Sequence, residues 1–280
     1  MTTALPVLPL PRHGSSGSGI SYYSQVIKCP RKAALDVELA GTMPERTEGA
    51  APVGTIVHQM DELYYGGVCA NPAVIQVSDV NWGDAVSEAR RLWEAYIKRF
   101  PGVNWWGNVI AVEEQYPVGQ GQEVLVESVM GVTPFTVRID RVIEVTTESS
   151  ERIAKHTDLG YIKPGVYLYD RKTKGKADGD AQLVHFNSMQ FAAYQMVYNA
   201  CHPTDQALGM IVDEIISTKE VKFRQFLVTP PDEYQQRAVR SMITNAKALE
   251  KSNACFGVAY GCKDYNRFCP HLTSGVCKRS

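Results

Sequence analysis

The apolar positions in the first half of the chain recur at helical spacing. Between 82 and 100 the apolar side chains are Trp82, Ala85, Val86, Ala89, Leu92, Trp93, Tyr96, Ile97 and Phe100. These three- and four-residue steps predict an amphipathic helix with one buried face. Shorter helices are predicted at 21–27 and 53–65. Pro30 can open another helix over RKAALDVELA, because proline is tolerated at a first helical position.

The period changes after Pro101. The segments VIAVEEQYPV, EVLVESV and PFTVRIDRVIEV are rich in β-branched and apolar residues with alternating character, and GQGQ and GVTP separate them. Alternation between turn signals predicts strands. We therefore expect an antiparallel meander of three strands in this part of the chain.

The second half alternates strands and helices. Residues 146–163 form a polar insertion, VYLYD is a predicted strand, 173–181 a polar turn and 182–200 a helix. MIVDEIIST and KFRQFLVT are predicted strands, and PPDEYQQRAVRSMITNAKALEKS is a helix with proline and acids at its start. This order predicts an α/β fold with a mixed central sheet and flanking helices.

Composition narrows the class of protein. The chain has 280 residues, 44% of them hydrophobic, which is enough for one sizeable core. No apolar run approaches the roughly 18 residues of a membrane helix. Residues 1–19 are rich in Pro, Gly and Ser, so we expect a disordered leader there. The leader lacks a signal-peptide pattern, so we expect a cytoplasmic location. The length and composition of the remainder predict a single domain over 20–280.

The charge balance argues against a broad electrostatic footprint on nucleic acid. The formal net charge is −1, so any contact with DNA must come from local basic patches. Residues 171–176, RKTKGK, carry four cations in six positions, and 251–280 is also basic. Solvated surface charge is the alternative interpretation of both segments.

Two aspartates and a lysine carry the chemical argument. Strand alternation places Asp140, in VRIDRVIEV, on the face opposite Arg141. Asp170 ends the apolar VYLYD segment, and Lys172 follows on the same face. A carboxylate can bind a hard divalent cation there while the lysine reaches a phosphate or an attacking water. An ordinary surface ion pair would give the same DxK pattern.

With GTIVHQM and QFAAY added, these fragments resemble the RecB-like branch of the PD-(D/E)XK nuclease superfamily. Within it, the resemblance is to iron–sulfur exonucleases that include CRISPR-associated adaptation nucleases and phage-encoded relatives. The match runs through GxxxH, IDR, DRKT and QxxxY over residues 21–277. It implies a restriction-endonuclease-like core and metal-dependent cleavage of DNA. The chain departs from the family at Arg171, where an aliphatic or aromatic residue is usual; its side chain should project away from Asp170 and Lys172.

The resemblance implies a role for each matching residue. His58, Asp140 and Asp170 would bind Mg²⁺ or Mn²⁺, and the backbone carbonyl of Arg171 would be a further ligand. Lys172 would orient the attacking water and offset charge on the scissile phosphate. A lone histidine on an apolar helix is otherwise more often a satisfied core residue than a ligand.

The QxxxY residues are expected to contact the substrate. Gln190 and Tyr194 lie one helical turn apart and would face the same DNA strand, with helix packing as the alternative for Tyr194. The preferred function is an exonuclease acting on single strands or strand ends in phage or host recombination, repair or CRISPR adaptation. The alternative is a non-catalytic DNA-end-binding or assembly subunit. A homo-oligomer or a recombination or adaptation protein is the expected partner.

Seven cysteines, an odd number in a chain expected in the cytoplasm, argue against a disulfide framework. The tail spacing Cys255-x6-Cys262-x6-Cys269-x7-Cys277 lacks the CxxC pairs of a zinc ribbon and is ambiguous alone. The resemblance implies that Cys29, Cys262, Cys269 and Cys277 hold a [4Fe–4S] cluster joining segments 20–50 and 251–280, with Cys255 as a substitute ligand. Zn²⁺ in the same site is the alternative.

Overall fold

A computed structural model describes residues 7–8, 19–29, 33, 35, 50–74, 76–77, 83–251, 263–264 and 267–268. The helices are α1 (Ile20–Lys28), α2 (Ala50–Tyr65), α3 (Gly83–Arg99), α4 (Gln120–Met130), α5 (Thr147–His156), α6 (Ala181–Phe186), α7 (Met189–Cys201) and α8 (Glu233–Lys251). The strands are β1 (Val7–Leu8), β2 (Gln76–Val77), β3 (Asn108–Tyr116), β4 (Val137–Val145), β5 (Gly165–Lys174), β6 (Met210–Ile216), β7 (Lys222–Val228), β8 (Lys263–Asp264) and β9 (Arg267–Phe268). A short 3₁₀ helix covers Pro72–Val74.

The central sheet has five strands in the order β3-β4-β5-β6-β7. β5 and β6 pair in parallel, and the other neighbours pair antiparallel. The predicted mixed sheet in an α/β fold is therefore confirmed. Two short pairs stand apart from it: β1 with β2, and β8 with β9.

Helices cover both faces of this sheet because its central strands are apolar on both sides. Alternate residues of β5 belong to different apolar clusters: Leu168 packs with α7 and α8 residues, and Tyr169 packs with α2 and α3 residues. Every residue of β6 is buried. The predicted helices at 21–27, 53–65 and 82–100 are confirmed as α1, α2 and α3.

The prediction of a three-strand meander was wrong. EVLVESV lies in helix α4, and β3 pairs directly with β4. Gly131 ends this helix in the left-handed region at φ 74°, a conformation that glycine adopts without steric cost. Val126 and Met130, one turn apart, are buried, so helical packing outweighs the β-propensity of the valines.

Three other boundaries also differ from the prediction. The polar insertion contains α5, whose capping box joins Thr146 to Ser149. The single helix predicted over 182–200 is two helices, with Ser188 capping α7 through the Phe191 amide. β5 continues four residues beyond Asp170 because β6 pairs with it as far as Lys174.

Some predictions lie outside the described residues. These are the helix at RKAALDVELA apart from Ala33 and Leu35, most of the leader 1–19, and most of the tail beyond Lys251. Among the helices that the structure describes, none is long and apolar enough to cross a membrane.

Helix α2 approaches β5 closely at a glycine. A Cβ on Gly54 would lie 2.8 Å from Thr173 Oγ1, nearer than unstrained contact allows. His58 follows one turn later on the same helix. The glycine of GxxxH thus lets α2 pack against the strand that carries Asp170 and Lys172.

We expect Gly54→Ala to destabilise the fold, because overpacking costs about 1–3 kcal/mol and the gain in helix propensity returns only about 0.5–1 kcal/mol. In a Thr173→Ala background the contact is gone, so the same substitution should become neutral or stabilising. Chemical denaturation of the four proteins of this double-mutant cycle measures the coupling. Equal effects of Gly54→Ala in both backgrounds would contradict the packing argument.

Candidate active site

The site forms where β4 separates from β5. Their pairing ends at Arg141–Tyr169, next to Asp140, while β5 continues beside β6. The Arg171 amide then donates to Asp140 Oδ2 at 2.9 Å. The Asp140 carboxylate replaces the carbonyl that a continuing strand would have offered, so the split leaves no unsatisfied amide at this position.

Asp170 and Lys172 form an ion pair on one face of β5. Lys172 Nζ lies 2.9 Å from Asp170 Oδ1 and 2.7 Å from Oδ2. Burial raises the pKa of Asp170 to about 6; the Asp140 charge adds to that rise and the Lys172 charge opposes it. Burial alone would lower the pKa of Lys172, but the carboxylates of Asp170 and Asp140 raise it, so the lysine remains a cation.

His58 reaches Asp140 from helix α2. Its Nδ1 is 3.2 Å from Asp140 Oδ2. Burial acts to lower the pKa of His58, but the Asp140 carboxylate outweighs it and raises the pKa to about 9. For Asp140, burial acts to raise the pKa. The charge of His58 and its hydrogen bond outweigh burial and bring the pKa of Asp140 below its usual range. The predicted meeting of His58 with Asp140 is therefore observed as an ion pair.

Glu113 is a site residue that the sequence analysis missed. On β3 it lies between the Val112–Arg141 and Glu114–Ile139 pairs, which places it opposite Asp140. Its Oε1 is 4.0 Å from His58 Nδ1, and its Oε2 is 2.7 Å from Arg138 Nε.

The environment of Glu113 is unusual for an acidic residue. Its φ of 51° lies in the left-handed region, which is uncommon for any residue other than glycine. Burial raises its pKa to about 8, and the Asp140 charge adds to that rise. Strained backbone and perturbed carboxyl groups concentrate at functional sites. The available signal in the sequence was the acidic pair Glu113 and Glu114, which directly follows the apolar run VIAV within one strand.

Three of these side chains can share a divalent cation. His58, Glu113 and Asp140 each offer one donor atom, and the three atoms lie within 4.8 Å of one another. Carboxylate oxygens suit hard divalent cations such as Mg²⁺ or Mn²⁺, and an imidazole nitrogen is a common ligand of other divalent metals. The donor set therefore fits a divalent metal ion, with Glu113 in addition to the predicted ligands His58 and Asp140. Ligation by Asp170 and by the Arg171 carbonyl stays a prediction.

The QxxxY pair adjoins the site from helix α7. Gln190 Nε2 donates to Tyr194 Oη at 2.7 Å. Tyr194 is only 9% exposed; burial raises its pKa, and the nearby Asp170 charge acts in the same direction. Gln190 is the more accessible member, and contact of either residue with DNA stays a prediction.

The basic run 171–176 is not a surface patch as a whole. Arg171 is fully buried on the opposite side of β5 from Lys172, as expected, with its Nη1 2.6 Å from Asp61 Oδ1. Lys172 is held by Asp170, and Lys174 Nζ lies 3.9 Å from Glu214 Oε1. Much of the run's positive charge is thus paired inside the fold.

The predicted cysteine ligands are only partly within the described residues. Cys29 follows α1 directly and is buried. Cys255, Cys262, Cys269 and Cys277 lie outside the residues that the structure describes. The ligand set of a [4Fe–4S] cluster therefore stays a prediction.

A family model supports the geometric reading of this site. Residues 20–274 match the model of the PD-(D/E)XK nuclease superfamily. The chain belongs to this superfamily. The match spans the central sheet, so the carboxylates at the β4–β5 split lie within the superfamily's own fold.

Solved structures and curated proteins were also compared. One similar structure is a "putative exonuclease" of Eubacterium rectale, at 15% identity and TM-score 0.45 over 85% of this chain and 82% of that one. Another is SSO0001, at 15% identity and TM-score 0.44 over 95% of this chain and 88% of that one. No curated protein matches this chain.

The raised pKa values predict how stability of the metal-free protein depends on pH. Folding raises the pKa of His58 from 6.5 to about 9, so protonated His58 stabilises the fold. This contribution is complete below pH 6.5 and is lost as pH rises to about 9. The pKa of Glu113 is raised from 4.5 to about 8, so its contribution to stability also decreases as pH rises over that interval. The unfolding temperature in EDTA should therefore fall between pH 6.5 and 9.

His58→Gln should flatten this fall without abolishing it, since the Glu113 share remains. The control is His156→Gln, which alters an exposed histidine on α5 and should keep the wild-type slope. A wild-type slope in His58→Gln would show that the ion pair with Asp140 does not exist in solution.

Proposed function

We propose that this superfamily member is a Mg²⁺- or Mn²⁺-dependent DNA exonuclease acting on single strands or strand ends. The observation that carries the proposal is the convergence of His58, Glu113 and Asp140 beside the Asp170–Lys172 pair. This arrangement combines donors for a divalent ion with a fixed cation for a phosphate, as phosphodiester hydrolysis requires.

Each side chain has a separate task in this mechanism. A bound divalent ion would polarise the scissile phosphate and favour ionisation of a bound water. His58, Glu113 and Asp140 would hold that ion, and His58 must first give up the proton that it shares with Asp140. Asp170 and the Arg171 backbone carbonyl would be the further ligands that the family resemblance implies. Asp170 holds Lys172 in place at 2.7 Å. From there the ammonium would orient the attacking water and offset charge on the phosphate.

The substrate and setting follow from the family resemblance and from the charge. With a net charge of −1, the chain would engage DNA through local contacts near Gln190 and Tyr194 rather than through a broad positive field. A homo-oligomer or a partner protein would supply further positive surface. Phage or host recombination, repair or CRISPR adaptation in the cytoplasm is the setting we propose.

A non-catalytic DNA-end-binding subunit is the competing function. Such a protein would need the fold but not the Asp170–Lys172 pair. In this chain Asp170 is buried and Lys172 Nζ lies 2.7 Å from its carboxylate, and the presence of this pair favours the enzyme.

Asp170→Ala should abolish Mn²⁺-dependent degradation of end-labelled single-stranded DNA, and Lys172→Ala should lower its rate about 10²–10⁴-fold at saturating Mn²⁺. Glu113→Gln should instead raise the Mn²⁺ concentration needed for half-maximal rate, because it weakens a ligand. Substrates blocked at the 5′ or the 3′ end, assayed with the same proteins, report the polarity of digestion.

Circular dichroism spectra must show that each variant folds. Full activity of folded Asp170→Ala or Lys172→Ala would overturn the mechanism. Binding of DNA ends by wild-type protein without any metal-dependent degradation would favour the non-catalytic subunit.

We also propose, from the family resemblance, that Cys29, Cys262, Cys269 and Cys277 bind a [4Fe–4S] cluster. Cys29 is buried at the end of α1, and α1 packs against α8, the helix that precedes the cysteine-rich tail. A buried thiol beside the element that leads to the other ligands is consistent with such a site. The proposed cluster has no step in the cleavage mechanism.

Anaerobically purified protein should be brown and contain about four irons per chain, as a Cys-ligated cluster requires. Cys29→Ser should lower the iron content and bleach the visible absorption. The matched control is Cys201→Ser, which alters a buried cysteine on α7 and should retain both. Colourless wild-type protein that contains one zinc would refute the iron–sulfur assignment.

A further inference from the structure

Four charged side chains are buried together on the side of the sheet opposite Asp170 and Lys172. We call Asp61, Arg141, Arg171 and Asp213 the buried network; none is more than 3% exposed. Arg171 Nη1 is 2.6 Å from Asp61 Oδ1, and its Nη2 is 3.6 Å from Asp213 Oδ2. Arg141 Nε is 3.4 Å from Asp61 Oδ2. Two arginines and two aspartates make the group formally neutral.

Aromatic rings complete the surroundings of the two guanidinium groups. Arg141 Cζ lies 3.7 Å from the ring centre of Tyr65 and 3.6 Å from that of Tyr169. Arg171 Cζ lies 3.6 Å from the ring centre of Tyr96. Arginine suits these contacts because its guanidinium is planar, stacks on aromatic rings and presents several donors at fixed angles.

Stability alone does not account for such a network. Removing charges from water is costly, and apolar side chains of similar volume often stabilise a core as well or better. A network of this kind instead fixes the relative orientation of the elements that it joins. An arginine that contacts carboxylates on two different elements fixes how those elements are rotated and shifted relative to each other, which apolar packing does less strictly.

The network contacts the elements that carry the site. On β4, Arg141 follows Asp140 directly. On β5, Arg171 stands between Asp170 and Lys172, and its own amide binds Asp140. Because side chains alternate along a strand, an anchor on one face sets the position of the carboxylates on the other.

Helix α2 is tied to the same strands. Asp61 lies three residues after His58 on this helix, and its two carboxylate oxygens reach Arg171 and Arg141. The helix that delivers the imidazole is thus ion-paired to both strands that deliver the aspartates. Those contacts hold α2 beside β4 and β5, where His58 Nδ1 lies 3.2 Å from Asp140 Oδ2.

We propose that the buried network positions the metal ligands, with Asp61 and Arg171 as its central positioning residues. It fixes α2 against the β4–β5 split so that His58, Glu113 and Asp140 converge on one ion. The proposal rests on the proposed metal site and goes beyond it, because neither Asp61 nor Arg171 uses its side chain to touch metal or substrate.

The test measures Mn²⁺ binding by calorimetry, without DNA, in three variants. Asp61→Asn combined with Arg171→Met removes one charge of each sign, so no unbalanced charge stays buried. We expect it to bind Mn²⁺ about 10- to 100-fold more weakly, as loss of residues behind a metal ligand does. Arg171→Lys keeps the charge but has one nitrogen where arginine uses two to reach Asp61 and Asp213, and it should weaken binding about 10-fold.

The control is Ser150→Ala, which removes a buried hydroxyl that donates to the Ile162 carbonyl. Ile162 belongs to the same apolar cluster as the tyrosines that surround the two arginines. It should lower the unfolding temperature and leave Mn²⁺ affinity unchanged, so general destabilisation is separated from misplaced ligands. If the double variant does not fold, Arg171→Lys decides.

The outcomes separate this proposal from the proposed function. Wild-type Mn²⁺ affinity in the folded double variant, or in folded Arg171→Lys, would overturn the positioning role while leaving the nuclease intact. Wild-type protein that binds Mn²⁺ but degrades no DNA would overturn the nuclease, and the affinities would still test the network. Wild-type protein that binds no Mn²⁺ would overturn both.

Discussion

The separation of β4 from β5 is the constraint on which the site depends. A sheet that continued to pair would fill this space with backbone hydrogen bonds and would leave no room for converging carboxylates. The split is tolerable because Asp140 accepts the Arg171 amide and because β6 supports β5 from the other side through Lys174. Asp140 therefore accepts a hydrogen bond from an amide that would otherwise be unpaired, and it also belongs to the candidate metal site. Loss of Asp140 would affect structure and chemistry together.

The sequence indicated much of this arrangement, since its signals were local. Nine apolar positions at helical steps defined α3, and strand alternation gave the opposed faces of Asp140 and Arg141 and of Lys172 and Arg171. The α/β class followed from the order of these elements. Such inferences need only the geometry of one helix or one strand.

What the sequence did not reveal depends on contacts between distant segments. Glu113 enters the site through the register of β3 on β4, which includes an irregularity between Val109 and Ala111. Helix α4 forms where valines favour a strand, because tertiary packing of one face outweighs local propensity. One ion-pair partner of Arg171 is Asp61, 110 positions earlier in the chain, and no periodicity in either segment indicates that contact.

The depth of the buried network has a consequence for how the protein responds to ionic strength. Dissolved ions screen charges that they can approach, and the described members of this group are almost inaccessible to them. Attraction between exposed cations and a nucleic-acid backbone weakens steeply as salt is added. Added salt would therefore weaken the attraction between exposed cations and a nucleic acid, while the buried ion pairs behind the candidate metal ligands would be little affected.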